Sequence, residues 1–175
     1  MAELEIHHES EHKIDPAGQK VGVLAAVLAV LLAIVTIASH RTHTAAIIYK
    51  SSSNDTWSEY QASRLKLHSS ELGKDLLTVM GAKGPEAEKL ASSYESQAKK
   101  YEARSKDLQE KAEKLDGDSE AAEHRGLRFD LGEGLLEIAL VLSSLYFISH
   151  KMMFPVLGVT AGFAGIAIAV SGLLV

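Results

Sequence analysis

Cysteine is absent from the 175 residues, which excludes a disulfide scaffold and leaves no thiolate for metal or nucleophilic chemistry. An excess of positive charge is also lacking. The formal net charge is -5, which argues against binding a phosphate backbone, so no nucleic-acid partner is expected. Charge of either sign is missing from Val21 to Ser39, a run of 19 residues, and from Val156 to Val175, a run of 20. Each run is long enough to cross a hydrocarbon core of roughly 30 Å as a helix, which excludes an ordinary soluble domain. The near-zero mean hydropathy is the average of a membrane part and a very polar part. P-loop, GxSxG, HExxH and zinc-ligand patterns are all missing. No enzymatic activity, cofactor or metal is expected.

The amino-terminal tail, MAELEIHHESEHKIDP, carries five acids. It lacks the cationic start of a signal peptide, and the run behind it is too long for one. Residues 1–20 therefore read as an acidic, His-containing tail and residues 21–39 as an uncleaved first span. A second apolar stretch, Leu131 to Ile148, is interrupted by Glu133 and Glu137 but still reads as a span, counted from 127 to 149. His150 and Lys151 make a short polar break. Pro155 suits a helix first turn, and the third span is 155–175. Three spans put the tail and the break on one side, with residues 40–126 on the other. The short segments carry Lys13, Lys20 and Lys151, so the positive-inside rule applied to short loops favours the tail in the cytoplasm, whereas counting Arg41, Lys50, Arg125 and Arg128 on the flanks of the long segment nearly reverses the result.

Residues 40–126 read as a helical hairpin domain. Ser58, Ala62, Leu65, Ser69, Leu72, Leu76 and Val79 are spaced alternately by four and three, a heptad seam. Asn54 or Asp55 suits the N-cap of that helix, and Gly81, Gly84 and Pro85 supply a stop and a restart. A second helix repeats the spacing through Ala87, Ala91, Tyr94, Ala98, Tyr101, Ser105, Leu108, Ala112 and Leu115. Asp116, Gly117 and Asp118 suit a terminator with a fresh cap. They and Glu120 resemble part of a calcium loop but lack its spacing and closing Glu, so they read as a turn. Each helix would be on the order of 35 to 45 Å long. Such a two-rod hairpin buries little apolar area against the entropy of ordering it. Self-association is therefore expected.

The string Asp55, Trp57, Tyr60, Gln61, Ala62 is specific in a way that generic apolar helices are not. With the acidic tail, a His-Arg-Thr-His exit from the first span and a closing pair of spans, it resembles a bacterial membrane family known only as domain of unknown function 4337. The resemblance covers nearly the whole chain and implies an inner-membrane protein with no activity to carry over. Family members often have a cationic loop between the last two spans, which agrees with a hairpin on the periplasmic side. Here that loop is reduced to His150 and Lys151.

Several residues carry two readings. Glu133 and Glu137, four apart, share a helix face. Glu137 lies roughly 9 Å into the apolar layer, counted from Leu131. A carboxylate there is either paired with His40, Arg41 or Arg128, or serves cation or proton traffic. Gly22, Ala26, Ala29, Ala33, Thr36 and His40 form one small-residue seam; Gly158, Gly162, Gly165, Ala169 and Gly172 form another. They suit close helix packing or, alternatively, a pore or hinge. His7, His8 and His12 with Glu9 and Glu11 read as a solvated tail before a metal site. His40 and His43 read as interfacial residues. Trp57 and Tyr60 either anchor at headgroup level or pack under the base of the hairpin. The expected architecture is an all-α integral membrane protein with three transmembrane helices and a protruding antiparallel coiled-coil hairpin. The bilayer and further copies of the chain are its expected partners. The leading function is a homo-oligomeric structural or interaction scaffold. The alternative is a small oligomeric ion or proton channel using Glu133 and Glu137.

Overall fold

A computed structural model describes residues 15–174. Of the acidic tail, residues 1–14 with His7, His8, Glu9, Glu11 and His12 lie outside the described residues, and residues 16–20 belong to the first helix rather than to a tail. Four helices account for almost all of the rest: α1, Pro16–Val79; α2, Pro85–Ser144; α3, Tyr146–Ser149; and α4, Met153–Leu173. No strand occurs among the described residues. The fold is all-α, and three of its helical stretches are long and apolar enough to cross a membrane.

Asp15 and Pro16 start α1. The Asp15 carboxylate accepts the Ala17 N–H at 3.0 Å, and proline occupies the first position, where no N–H is needed. The helix then continues through Asn54 and Asp55 to Val79, so neither acts as an N-cap. The stop and restart follow from glycine geometry. Gly81 and Gly84 adopt positive φ of 64° and 107°, a region open to glycine at no steric cost. Pro85 begins α2, with Glu86 and Glu88 in its first turn, favourable against the helix dipole.

The helix α2 contains no break at Asp116–Gly117–Asp118, which corrects the expected terminator. A lone glycine inside a helix costs only about 1 kcal/mol. The buried positions also keep their phase across it: Leu108, Ala112, Ser119 and Ala122 are all buried. The chain leaves α3 through His150, in the left-handed region at φ 53°, whose N–H bonds the Tyr146 carbonyl.

By internal contacts the chain forms two units. One comprises residues up to Ile37 with Arg128–Ser171, the other Ala38–Leu127 with Gly172 onward. In the first, Leu28, Leu136 and Ala139 form the core, surrounded by Leu24, Leu31, Leu32, Val35, Leu140, Ala161 and Ile166. Helices α2 and α4 approach closely. A Cβ on Gly132 would lie 2.8 Å from the Gly165 carbonyl, and one on Gly158 would lie 2.8 Å from the Ala139 carbonyl. Only glycine permits that backbone contact, the means by which helices associate where lipid supplies no hydrophobic drive.

In the second unit, α1 and α2 run antiparallel. Ser119 donates to the Ala46 carbonyl at 3.1 Å, Ser53 to Ala112 at 3.4 Å and Ser63 to Tyr101 at 3.2 Å. The α1 face that packs on α2 is Ala46, Ser53, Thr56, Ser63, Leu67 and Ser70. The expected seam is on the other side: Leu65 is 69% exposed, Leu72 60%, Leu76 51% and Val79 84%. Both faces obey the four-three spacing. The inward one is nearly all small and polar because its hydroxyls satisfy themselves on backbone carbonyls, which lets the helices close up. On α2 the positions expected inside, Ser105, Leu108 and Ala112, are buried.

Candidate functional site

The carboxylates of the apolar part of α2 differ in environment. Glu133 is half-buried and accepts the Thr36 hydroxyl from α1 at 2.7 Å. Helix spacing explains this: Glu133 flanks the Gly132 and Leu136 contact face, while Glu137, four residues on, is turned roughly 40° further from it. Glu137 is exposed. Arg128, offered as a partner for either acid, instead donates to the Ser171 carbonyl at 3.1 Å, where the last turn of α4 has an open acceptor. His40 and Arg41 belong to the other unit and are both exposed there. His43 lies against Gly126, where an added Cβ would come within 3.0 Å of its ring.

The two small-residue seams fare differently. Gly158, Gly162, Gly165, Ala169 and Gly172 are all buried. Gly22, Ala26, Ala29 and Ala33 are all exposed, with Val21, Leu24, Leu28 and Leu31 on the packed face of α1. Among the described residues these four therefore pack against no helix. The larger leucines fill the space between α1 and the α2–α4 pair, with Leu28 Cδ2 directly over Gly162.

A polar cluster that sequence reasoning missed lies in the hairpin. Asp116, read above as part of a turn, is a mid-helix residue that accepts Trp57 Nε1–H at 2.9 Å and Lys50 Nζ at 3.0 Å. Trp57 lies two turns beyond Lys50 on one face of α1, so both reach the same carboxylate. The hydrogen bond from Trp57, then those from Lys50 and Ser53, pull the Asp116 pKa down to about 2. The bond to Asp116 pushes Lys50 up in turn. Trp57 also meets Tyr60 edge-to-face at 5.4 Å. These aromatics thus pack on the hairpin. The available signal was the unbroken phase from Leu115 to Ser119 and Ala122, which marks 116–118 as helix.

Of the family-like string, Trp57 and Tyr60 are half-buried, whereas Asp55, Gln61 and Ala62 are exposed. Ala62 belongs to the outward stripe with Leu65 and Leu72. The arrangement offers hydrogen bonding, ion pairing and helix contact. Among the described residues no group of three or more His, Cys, Asp and Glu side chains is placed to hold a metal ion.

A family model described as a domain of unknown function, DUF4337, matches residues 17–175. No curated protein matches, and no solved structure matches.

Proposed function

The chain belongs to the family of domain of unknown function 4337, and we propose that it is a non-enzymatic integral membrane scaffold that self-associates through α1. The observation carrying this reading is the outward stripe of Leu65, Leu72, Leu76 and Val79. Leucines left in water at a four-three spacing carry a free-energy cost that a second helix covering them would remove. A second copy inserted with the same topology presents the same stripe in the same direction. Leu65 and Leu72 then meet their equivalents at the heptad position where leucine favours two parallel strands. No like charges oppose each other in that register: the flanking pairs are Gln61 with Lys66, and Asp75 with Met80. In the membrane-length part of α1, the exposed Gly22, Ala26, Ala29 and Ala33 also suit close approach of another helix. We place the protein in a bacterial inner membrane with the hairpin on the periplasmic side, a placement supported by Lys20 and Lys151 flanking the spans.

The chain's lack of cysteine makes the test clean. Leu72→Cys introduces the single thiol, and oxidation in membranes is expected to give a disulfide-linked dimer, whereas Lys99→Cys gives none. A monodisperse monomer in mild detergent, with no cross-link, overturns the proposal.

Glu137 supports a second reading. It is an exposed acid on an apolar helix face with no hydrogen bond or ion pair among the described residues, a costly arrangement unless covered or protonated. An oligomer that turns this face inward would be a small cation or proton channel. Conductance in reconstituted liposomes that changes in Glu137→Gln establishes that reading; tight liposomes remove it.

A further inference from the structure

A shallow groove of ≈ 290 Å³ in the hairpin unit holds Arg41, Thr42 and Tyr49 of α1 opposite Asp118 and Arg125 of α2, over an alanine floor. Neither arginine makes a hydrogen bond or ion pair among the described residues. Both guanidinium groups line the groove free of any partner among the described residues, and their planar forks match the oxygens of a phosphate. Because the helices are antiparallel, with Ser119 opposite Ala46, Arg41 and Arg125 occupy one end of the groove. Tyr49 and Asp118 occupy the other, about 10 Å further along at the helical rise. The arginine end adjoins the uncharged run Val21 to Ser39, and Arg41 is the first charged residue after it. Moving away from the apolar run, the groove thus offers cations first, then a carboxylate and a phenol.

That order is the order of groups in one class of lipid. We infer that the groove binds the headgroup of a phospholipid bearing a primary amine, a phosphoethanolamine. Its phosphodiester is held by Arg41 and Arg125, and its ammonium donates to Asp118 and Tyr49. A choline headgroup has no N–H to donate to Asp118. A glycerol headgroup has no cation to offset it, and a carboxylate left facing an uncharged group forfeits the charge-assisted bond. Hydroxyl-bearing Thr42 already spends its proton on the Ala38 carbonyl, at 2.8 Å, and is left as an acceptor.

The inference rests on the proposed membrane placement and not on self-association. The full chain in mild detergent, offered equimolar phosphatidylethanolamine, phosphatidylglycerol and phosphatidylcholine, is expected to retain the first selectively in native mass spectrometry. The double variant Arg41→Gln/Arg125→Gln should lose those adducts by roughly tenfold or more, the worth of one charge-assisted bond. Asp118→Asn should abolish the preference for the amine while keeping phosphate-bearing lipids bound. Helicity by circular dichroism shows that each variant is folded. Equal retention of the three lipids, or retention of phosphatidylethanolamine by the double variant, overturns the inference. Displacement by inorganic phosphate alone marks a site for a soluble anion and overturns it too. A chain that stays dispersed without amphiphile sinks the membrane placement itself, a failure distinct from these.

Discussion

The same helix, α1, solves opposite problems in the two units. In the first its large residues, Leu24, Leu28 and Leu31, point inward and its small ones, Gly22, Ala26, Ala29 and Ala33, point outward. In the second the pattern inverts: Ser53, Thr56, Ser63 and Ser70 are buried, while Leu65, Leu72 and Leu76 are exposed. Solvent accounts for the difference. In lipid, an outward glycine or alanine loses nothing by lacking apolar area, and inward leucines gain dispersion contacts against α2 and α4. In water, outward leucines are costly, a cost that the proposed self-association would offset. The inversion therefore teaches that the hairpin's own seam holds two rods together through small and hydroxyl-bearing residues, while the apolar stripe takes no part in that contact.

Substitutions at paired positions break or sharpen that contrast. The largest effect is expected at Gly165, where any Cβ would come within 2.8 Å of the Gly132 carbonyl. Gly165→Leu should cost about 3 kcal/mol in reversible unfolding in detergent, whereas Gly22→Leu, with open space around it, should leave the monomer unchanged and alter only association. Next come two leucines of one helix. Leu67 is 5% exposed, and Leu67→Ala should cost about 2 kcal/mol or more. Leu72→Ala should spare the hairpin's unfolding and weaken dimer cross-linking instead. Equal effects of the two on unfolding would erase the distinction between inner and outer seams.

A smaller effect is expected at the Asp116 cluster and has a sign that pH reveals. The folded pKa of about 2 lies below the ordinary 3.8. The stabilisation is therefore complete above about pH 4 and disappears as pH falls toward 2. Wild-type protein should lose thermal stability over that window relative to Asp116→Asn, which has no carboxyl to titrate there. Trp57→Phe should narrow the window by returning the pKa toward its ordinary value. Smallest is Lys74→Ala. It removes a cross-helix pair with Glu95 at 3.3 Å whose partners are each 48% exposed, and no measurable change in melting is expected.

Much of this was legible in the residues. The seam of the hairpin's second helix, Ser105, Leu108 and Ala112, could be read because its opposite face is charged, so hydrophobicity and periodicity agree. On α1 they disagree. Two faces carry the same spacing, and the more apolar one is the outward one, so the usual rule selects the wrong face. Glycines of α4 were legible as packing residues because nothing larger shares their stripe. Those of α1 were not, since leucines on the neighbouring stripe compete for the same contact.

Composition and spacing alone fixed which stretches prefer lipid, that every element is helical, and where the chain reverses. These depend on local quantities: uncharged length, the four-three period, and the positive φ that Gly81 and Gly84 allow. Three-dimensional packing decided which face of α1 turns inward and whether Asp116–Gly117–Asp118 ends a helix. The reason is that those choices compare non-local partners. An aspartate of a type suited to cap a new helix is held instead by Trp57 and Lys50, some sixty residues earlier in the chain, and the helix runs on through it.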